Sequence, residues 1–157
     1  MPRLIRTEPV DVVSWRVEGP ASADIDVAGN AVVQYGGAAG NVVITKNCSW
    51  STSGHYVTVN FPGIYQVNIH INARSKSGSS QAYEIQISTD GGSTFNNLSN
   101  RVVNYTSQGL DVWSDLSFGT VVNLQAGNSL RLVNHYPTAA QVDSTLYSGF
   151  SGHRVSS

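Results

Sequence analysis

The chain has 157 residues and 16.8 kDa, enough for one domain with one substantial core. Its charged fraction is 12%, about half the roughly 25% usual in soluble domains, and 21 Ser, 13 Asn, 10 Thr and 7 Gln supply the polarity instead. That composition excludes a coiled coil and a charge-rich disordered chain. A net charge of −1 also removes the basic footprint of a nucleic-acid binder.

In chain order, residues 1–10 contain Arg3, Arg6 and Glu8 and lack the apolar core of a signal peptide. No later stretch approaches the roughly 20 apolar residues that span a bilayer. The expectation is a short N-terminal arm over 1–10 and a single domain over 11–157, with neither export nor a membrane anchor. Cys48 is the only cysteine, so neither an intrachain disulfide nor a cysteine zinc cluster is available. Asn47, Asn97 and Asn104 lie in glycosylation-type triplets, which a chain this rich in Asn, Ser and Thr contains by chance.

Twenty valines, mostly in short runs bounded by Gly, Asn, Ser or Pro, predict strands over 10–17, 31–35, 41–45, 55–60, 64–73, 82–89, 101–106, 110–117, 120–124, 129–134 and 145–155. No amphipathic helix is predicted. Turn signals every ~8–12 residues read as an antiparallel sandwich or barrel. The clearest alternation follows Pro62-Gly63: Tyr65, Val67, Ile69 and Ile71 fall on one face, and Gln66, Asn68, His70 and Asn72 on the other. Asp90-Gly91-Gly92 and Leu124 to Leu130 read as tight turns between strands.

Motifs that carry chemistry are sparse. Gly36-Gly37-Ala38-Ala39-Gly40 is followed by a strand-like run, whereas a phosphate loop needs a helix N-terminus there. Ser88, Asp90, Gly92, Thr94 and Phe95 match the Asp-box of sialidase-like propellers, a turn-stabilising pattern; a single box is too little for a propeller. The histidines at 55, 70, 135 and 153 show no metal-type spacing, and no serine sits in a nucleophile elbow. Asp111 and Asp115, on either side of Trp113, could contribute oxygens to a calcium site, but two carboxylates on alternating strand positions are more often a solvated face. No enzyme activity and no cofactor is expected.

Three segments resemble the globular head of the complement-q family, a branch of the tumour-necrosis-factor-like (TNF-like) jelly rolls. They are Ser53 to Tyr65 around Phe61-Pro62-Gly63-Ile64-Tyr65, Val121 to Leu132 around Gln125-Ala126-Gly127-Asn128, and Ser148 to Val155 around Phe150-Ser151-Gly152. Asn128 stands where the family has Asp, and His153-Arg154 stands where it has an apolar pair. The resemblance implies an all-β, two-sheet antiparallel jelly roll that assembles as a homotrimer, with Gln66, Asn68, His70, Asn72 and Phe150 at the trimer interface. His70 would meet its symmetry mates on a three-fold axis, the one weak candidate for a metal ligand.

With no export signal and low charge, the resemblance suggests a phage virion protein: a trimeric capsid decoration protein on the virion surface, assembled in the host cytoplasm, whose arm contacts the major capsid protein through Arg3 and Arg6. The alternative is a receptor-binding or adhesin head, in which Trp50, Trp113, Tyr105 or Tyr136 meets a cell-surface glycan or protein. A hydrolase is a distant third.

Overall fold

The computed structural model describes residues 12–20, 24–35, 41–76, 82–98, 113–135, 139–142 and 148–157. Among them every regular element is a strand: β1 Ser14–Pro20, β2 Ile25–Val27, β3 Asn41–Lys46, β4 Cys48–Ser51, β5 Tyr56–Val59, β6 Gly63–Ser75, β7 Tyr83–Ser88, β8 Asn96–Asn97, β9 Ser114–Leu124, β10 Ser129–Asn134, β11 Ala140–Val142 and β12 Gly149–Ser156. They form two antiparallel sheets. The larger runs β2-β11-β6-β12-β1-β3, with β9 on the other side of β6; the smaller runs β4-β5-β10-β7-β8.

Strand β6 organises the larger sheet because its alternation is unbroken. Tyr65, Val67, Ile69, Ile71 and Ala73 are all buried, facing Val57, Val59, Ile85, Leu130 and Leu132 of the smaller sheet in one continuous core. Each Val, Ile or Leu among them contributes about 1.5–3 kcal/mol on full burial. One end of this core is aromatic: Trp15 lies 6.1 Å from Tyr65 and 5.8 Å from Phe150 between ring centroids. Gly152 is required beside it, since a Cβ there would stand 2.3 Å from the Trp15 ring. Tyr65 keeps its hydroxyl satisfied by donating to the Phe61 carbonyl at 2.7 Å.

The elements differ from the sequence expectation at definite places. The two strands expected over 110–117 and 120–124 are one, β9, because Gly119 pairs with Asn68 within an uninterrupted ladder from Gly63–Leu124 to Ala73–Ser114. The expected strand over 31–35 reduces to a bridge between Val32 and Val133, followed by a hydrogen bond from Tyr35 N–H to the Val33 carbonyl. Strands β2, β4, β8 and β11 were not expected: each is four residues or fewer, too short for alternation to register. The expected strand over 101–106, the loop 36–40, the arm 1–10 and Asp111 lie outside the described residues.

The two predicted turns are built by side chains. Ser88 Oγ donates to Asp90 Oδ1 at 2.6 Å and accepts from Gly92 N–H at 2.8 Å; Asp90 also accepts from the N–H groups of Ser93 at 3.1 Å and Thr94 at 2.9 Å. These donors hold the Asp90 carboxyl well below the usual carboxylate range, the Ser88 and Thr94 hydroxyls foremost. Gly92 takes φ +93°, and a Cβ there would strike the Tyr56 ring. The Asp-box therefore does here what its sequence implies, fixing a turn. In the second turn, Asn128 Oδ1 accepts from Gln125 N–H at 2.9 Å, so its side chain serves the backbone.

Candidate functional site

The outward side of the larger sheet is read directly from its register. Across β9, β6, β12, β1 and β3, one row is Val121, Gln66, His153, Ser14 and Lys46; the next is Gly119, Asn68, Ser151, Arg16 and Ile44. A third row is Ser117, His70, Gly149 and Glu18. Gln66, Asn68, His70 and Asn72 therefore share this face, as the alternation predicts, and Asn68 and His70 are exposed.

Phe150 does not join them. The expectation that it lies at an assembly interface is corrected by its complete burial against Trp15. Its pairing with the inward-facing Ile69 turns it into the core, so the outward positions of β12 are Ser151 and His153.

The face also carries apolar groups that sequence reasoning missed. Val12 (53% exposed) precedes Ser14, Ile64 (40%) precedes Gln66, and Val121 (56%) pairs with Gln66. Val155 (51%) sits at an irregularity between the Arg154–Tyr65 and Ser156–Ile64 pairs. Together they form an apolar band running from just before β1 across β12, β6 and β9; Ile44 is exposed on β3 two rows away, in the row of Arg16. Ile64 alone carries a local signal, since the β6 alternation puts it in phase with Gln66 and Asn68; the other three read as core, as a valine on a strand ordinarily does. The other large apolar side chains exposed among the described residues are Val43 and Trp113.

Beyond the band, uncharged amides dominate. Gln66 Nε2 donates to Asn68 Oδ1 at 3.1 Å, and Asn72 Nδ2 donates to Asp115 Oδ1 at 2.7 Å. Between these pairs lies an open cleft of about 470 Å³, lined by Arg16, Glu18, Asn68, His70, Ser117 and Ser151 among others. Glu18 is 5% exposed and forms an ion pair with Arg16. The His70 Nδ1 atom is held by the Ser117 hydroxyl, which fixes the ring and directs Nε2 away from that bond. At the far end Trp113 lies under the Arg74 guanidinium, 4.8 Å from Cζ to the ring centroid; Gln141 accepts from Arg74 Nε at 2.9 Å and donates to Asp26 at 2.9 Å.

The remaining candidates are dispersed. Trp50, on β4, is partly buried and packs against the core. Arg3, Arg6, Tyr105 and Tyr136 lie outside the described residues. His55 Nδ1 is 3.0 Å from the Tyr35 carbonyl, and His135 Nδ1 is 3.2 Å from Glu84 Oε1. Ser148, in the Tyr147-Ser148-Gly149 segment, is bonded to the Asn72 backbone rather than to a histidine. No group of three or more His, Cys, Asp or Glu able to hold a metal stands together among the described residues. Burial raises the Cys48 thiol above its ordinary range, and its Sγ donates to the Ser14 carbonyl at 3.2 Å, the setting of an inert structural thiol.

The outward side of the smaller sheet has a different character. Thr58 and Ser129 share a hydroxyl–hydroxyl bond of 2.8 Å, Arg131 Nε donates to Gln86 at 2.9 Å, and the Arg131 guanidinium lies 3.9 Å from the Phe95 ring centroid. These polar groups are matched to one another within the chain.

No protein-family model and no curated protein matches the sequence. Among solved structures, the Eiger TNF from S. frugiperda matches with a TM-score of 0.72 at 13% identity, over 94% of this chain and 94% of that one. With the two antiparallel sheets described above, that likeness establishes the fold of this chain as a TNF-like jelly roll.

Proposed function

We propose that the protein is a non-enzymatic virion structural protein of a phage: a homotrimeric capsid decoration head that assembles through the outward face of its larger sheet. The observation that carries assembly is the band of Val12, Val155, Ile64 and Val121, exposed in the single chain and continuous with an amide surface of low charge. Exposed apolar groups clustered on one face mark an interaction surface, and amides cross a symmetric interface without the desolvation cost of buried charge. The mechanism is cementing. Three copies present three arms carrying Arg3 and Arg6, and avidity multiplies a weak contact with the major capsid protein.

Light scattering on the purified protein is expected to give a mass three times 16.8 kDa. Co-sedimentation with capsid shells is expected to require residues 1–10, whose deletion leaves the trimer intact. Capsid binding retained after that deletion overturns the arm mechanism, and a monomer at micromolar concentration overturns the assembly. A receptor-binding head is the second reading, favoured by Trp113 exposed beside Arg74; glycan or host-cell binding by the isolated trimer, without capsid binding, selects it.

A further inference from the structure

We propose that the cleft on the outward face of the larger sheet is a binding site for a neutral saccharide, a ring bearing several hydroxyl groups. Such a site is separate from the assembly reading and stands whether or not the chain trimerises. Small residues build the cleft. Strand β12 lies between β6 and β1, and its outward positions are Gly149 and Ser151, flanked by His70 and Asn68 on one side and by Glu18 and Arg16 on the other. Gly119 lowers the wall beyond Asn68. A Cβ on Gly119 would stand 2.8 Å from Asn68 Oδ1, and one on Gly149 would stand 3.3 Å from the Val17 carbonyl oxygen. Two glycines at outward positions thus leave a trough of about 470 Å³, within the roughly 300–1,000 Å³ of small-molecule sites.

The groups around the trough select the chemistry of the ligand. Glu18 is only 5% exposed although it stands on the outward side; it gives Oε1 to Arg16 and keeps Oε2 as an acceptor. Arg16 meets Glu18 through Nη2 and keeps its other N–H groups as donors. Asn68 Oδ1 accepts from Gln66, which leaves the Asn68 amide N–H groups to donate, and Ser151 adds a hydroxyl to the lining. His70, fixed by Ser117, offers Nε2. Arg16 and Glu18 are the charged pair of the lining and cancel, so neither an anion nor a cation finds a net counter-charge there. What remains is an acceptor beside several donors, and a hydroxyl group, which donates one hydrogen bond and accepts others, matches both. The apolar band begins one row away, at Val121, and none of Val12, Ile64, Val121 and Val155 lines the cleft.

The test is an NMR titration of the full, isotope-labelled chain with methyl galactoside, methyl glucoside and N-acetylglucosamine, with sialic acid, glucosamine and glycerol in parallel. At least one neutral saccharide is expected to give saturating amide shifts confined to Asn68, Gly119, Gly149 and Ser151. A dissociation constant on the order of 1–10 mM is expected for a dozen or so non-hydrogen atoms in an open cleft. Ser151→Leu, which fills the trough, is expected to abolish binding, and Asn68→Ala to weaken it about fivefold, each with the circular dichroism of the wild type. Val121→Glu, outside the cleft, is expected to bind as the wild type does. No saturation with any of the three neutral saccharides overturns the inference, as do tighter binding of sialic acid or glucosamine, equal shifts with glycerol, or binding unchanged in Ser151→Leu. Binding by Val121→Glu alone also overturns it, since the cleft would then lie inside the interface. A monomeric wild type that binds the saccharide overturns the trimeric reading and leaves this site standing; a trimer that binds none does the reverse.

Discussion

The outward faces of the two sheets differ in how they dispose of apolar groups. On the smaller sheet Arg131 is held by Gln86 and stacked on Phe95, Thr58 is bonded to Ser129, and Gln86 Nε2 donates to Asn97. On the larger sheet Val12, Ile64, Val121 and Val155 stand exposed in a band, beside amides and histidines at the border of an open cleft. Both sheets spend the same alternation on the shared core, so the inward pattern does not distinguish them. The outward pattern does: polar groups are bonded within the chain on both faces, but among the described residues the band of exposed apolar side chains lies on the larger sheet, and such a face has much to gain from a second copy.

Substitutions test this contrast from the largest effect downward. Phe150→Ala is expected to cost about 3–5 kcal/mol of unfolding free energy in denaturant titrations, because Phe150 is core. A loss confined to assembly, with the folded monomer equally stable, would return Phe150 to the interface. Gly152→Ala is expected to cost about 1–3 kcal/mol by forcing the Trp15 ring aside, read as a lower thermal midpoint.

Asp90→Asn has a smaller expected effect, a slightly lowered thermal midpoint from the weakened turn. The sign of its pH dependence follows from the lowered carboxyl: wild-type Asp90 contributes stability above its ordinary value of 3.8 and loses it as pH falls below that. The difference between Asp90→Asn and wild type should therefore be full at pH 6 and shrink below pH ~4; a difference independent of pH would contradict it. Smallest is Arg131→Gln on the smaller sheet, expected to leave the association state unchanged when measured by light scattering.

Much of this was legible in the sequence because it is written in local period or local turn chemistry. The alternation through β6 placed Gln66, Asn68, His70 and Asn72 on one face, and Ser88-x-Asp90-x-Gly92 announced its own hydrogen bonds. What was not legible depends on partners distant in the chain. Gly119 reads as a breaker until β6 is seen to pair straight through it. Phe150 turns inward only because β12 pairs it with Ile69, and a one-residue difference in register would reverse that. The apolar band joins residues from 12 to 155: the β6 alternation alone puts Ile64 on the wet side, but no single strand reveals that Val12, Val121 and Val155 join it.

The most direct measurement of the central claim is the sedimentation-equilibrium mass of the wild type and of Val121→Glu at pH 7.5. Val121 is 56% exposed, so a glutamate there leaves the core untouched while placing a charge in the apolar band. The account predicts a trimer for the wild type and a folded monomer for the variant, its association weakened by about a hundredfold or more. A variant that stays trimeric, or a wild type that is monomeric, would contradict assembly through this face.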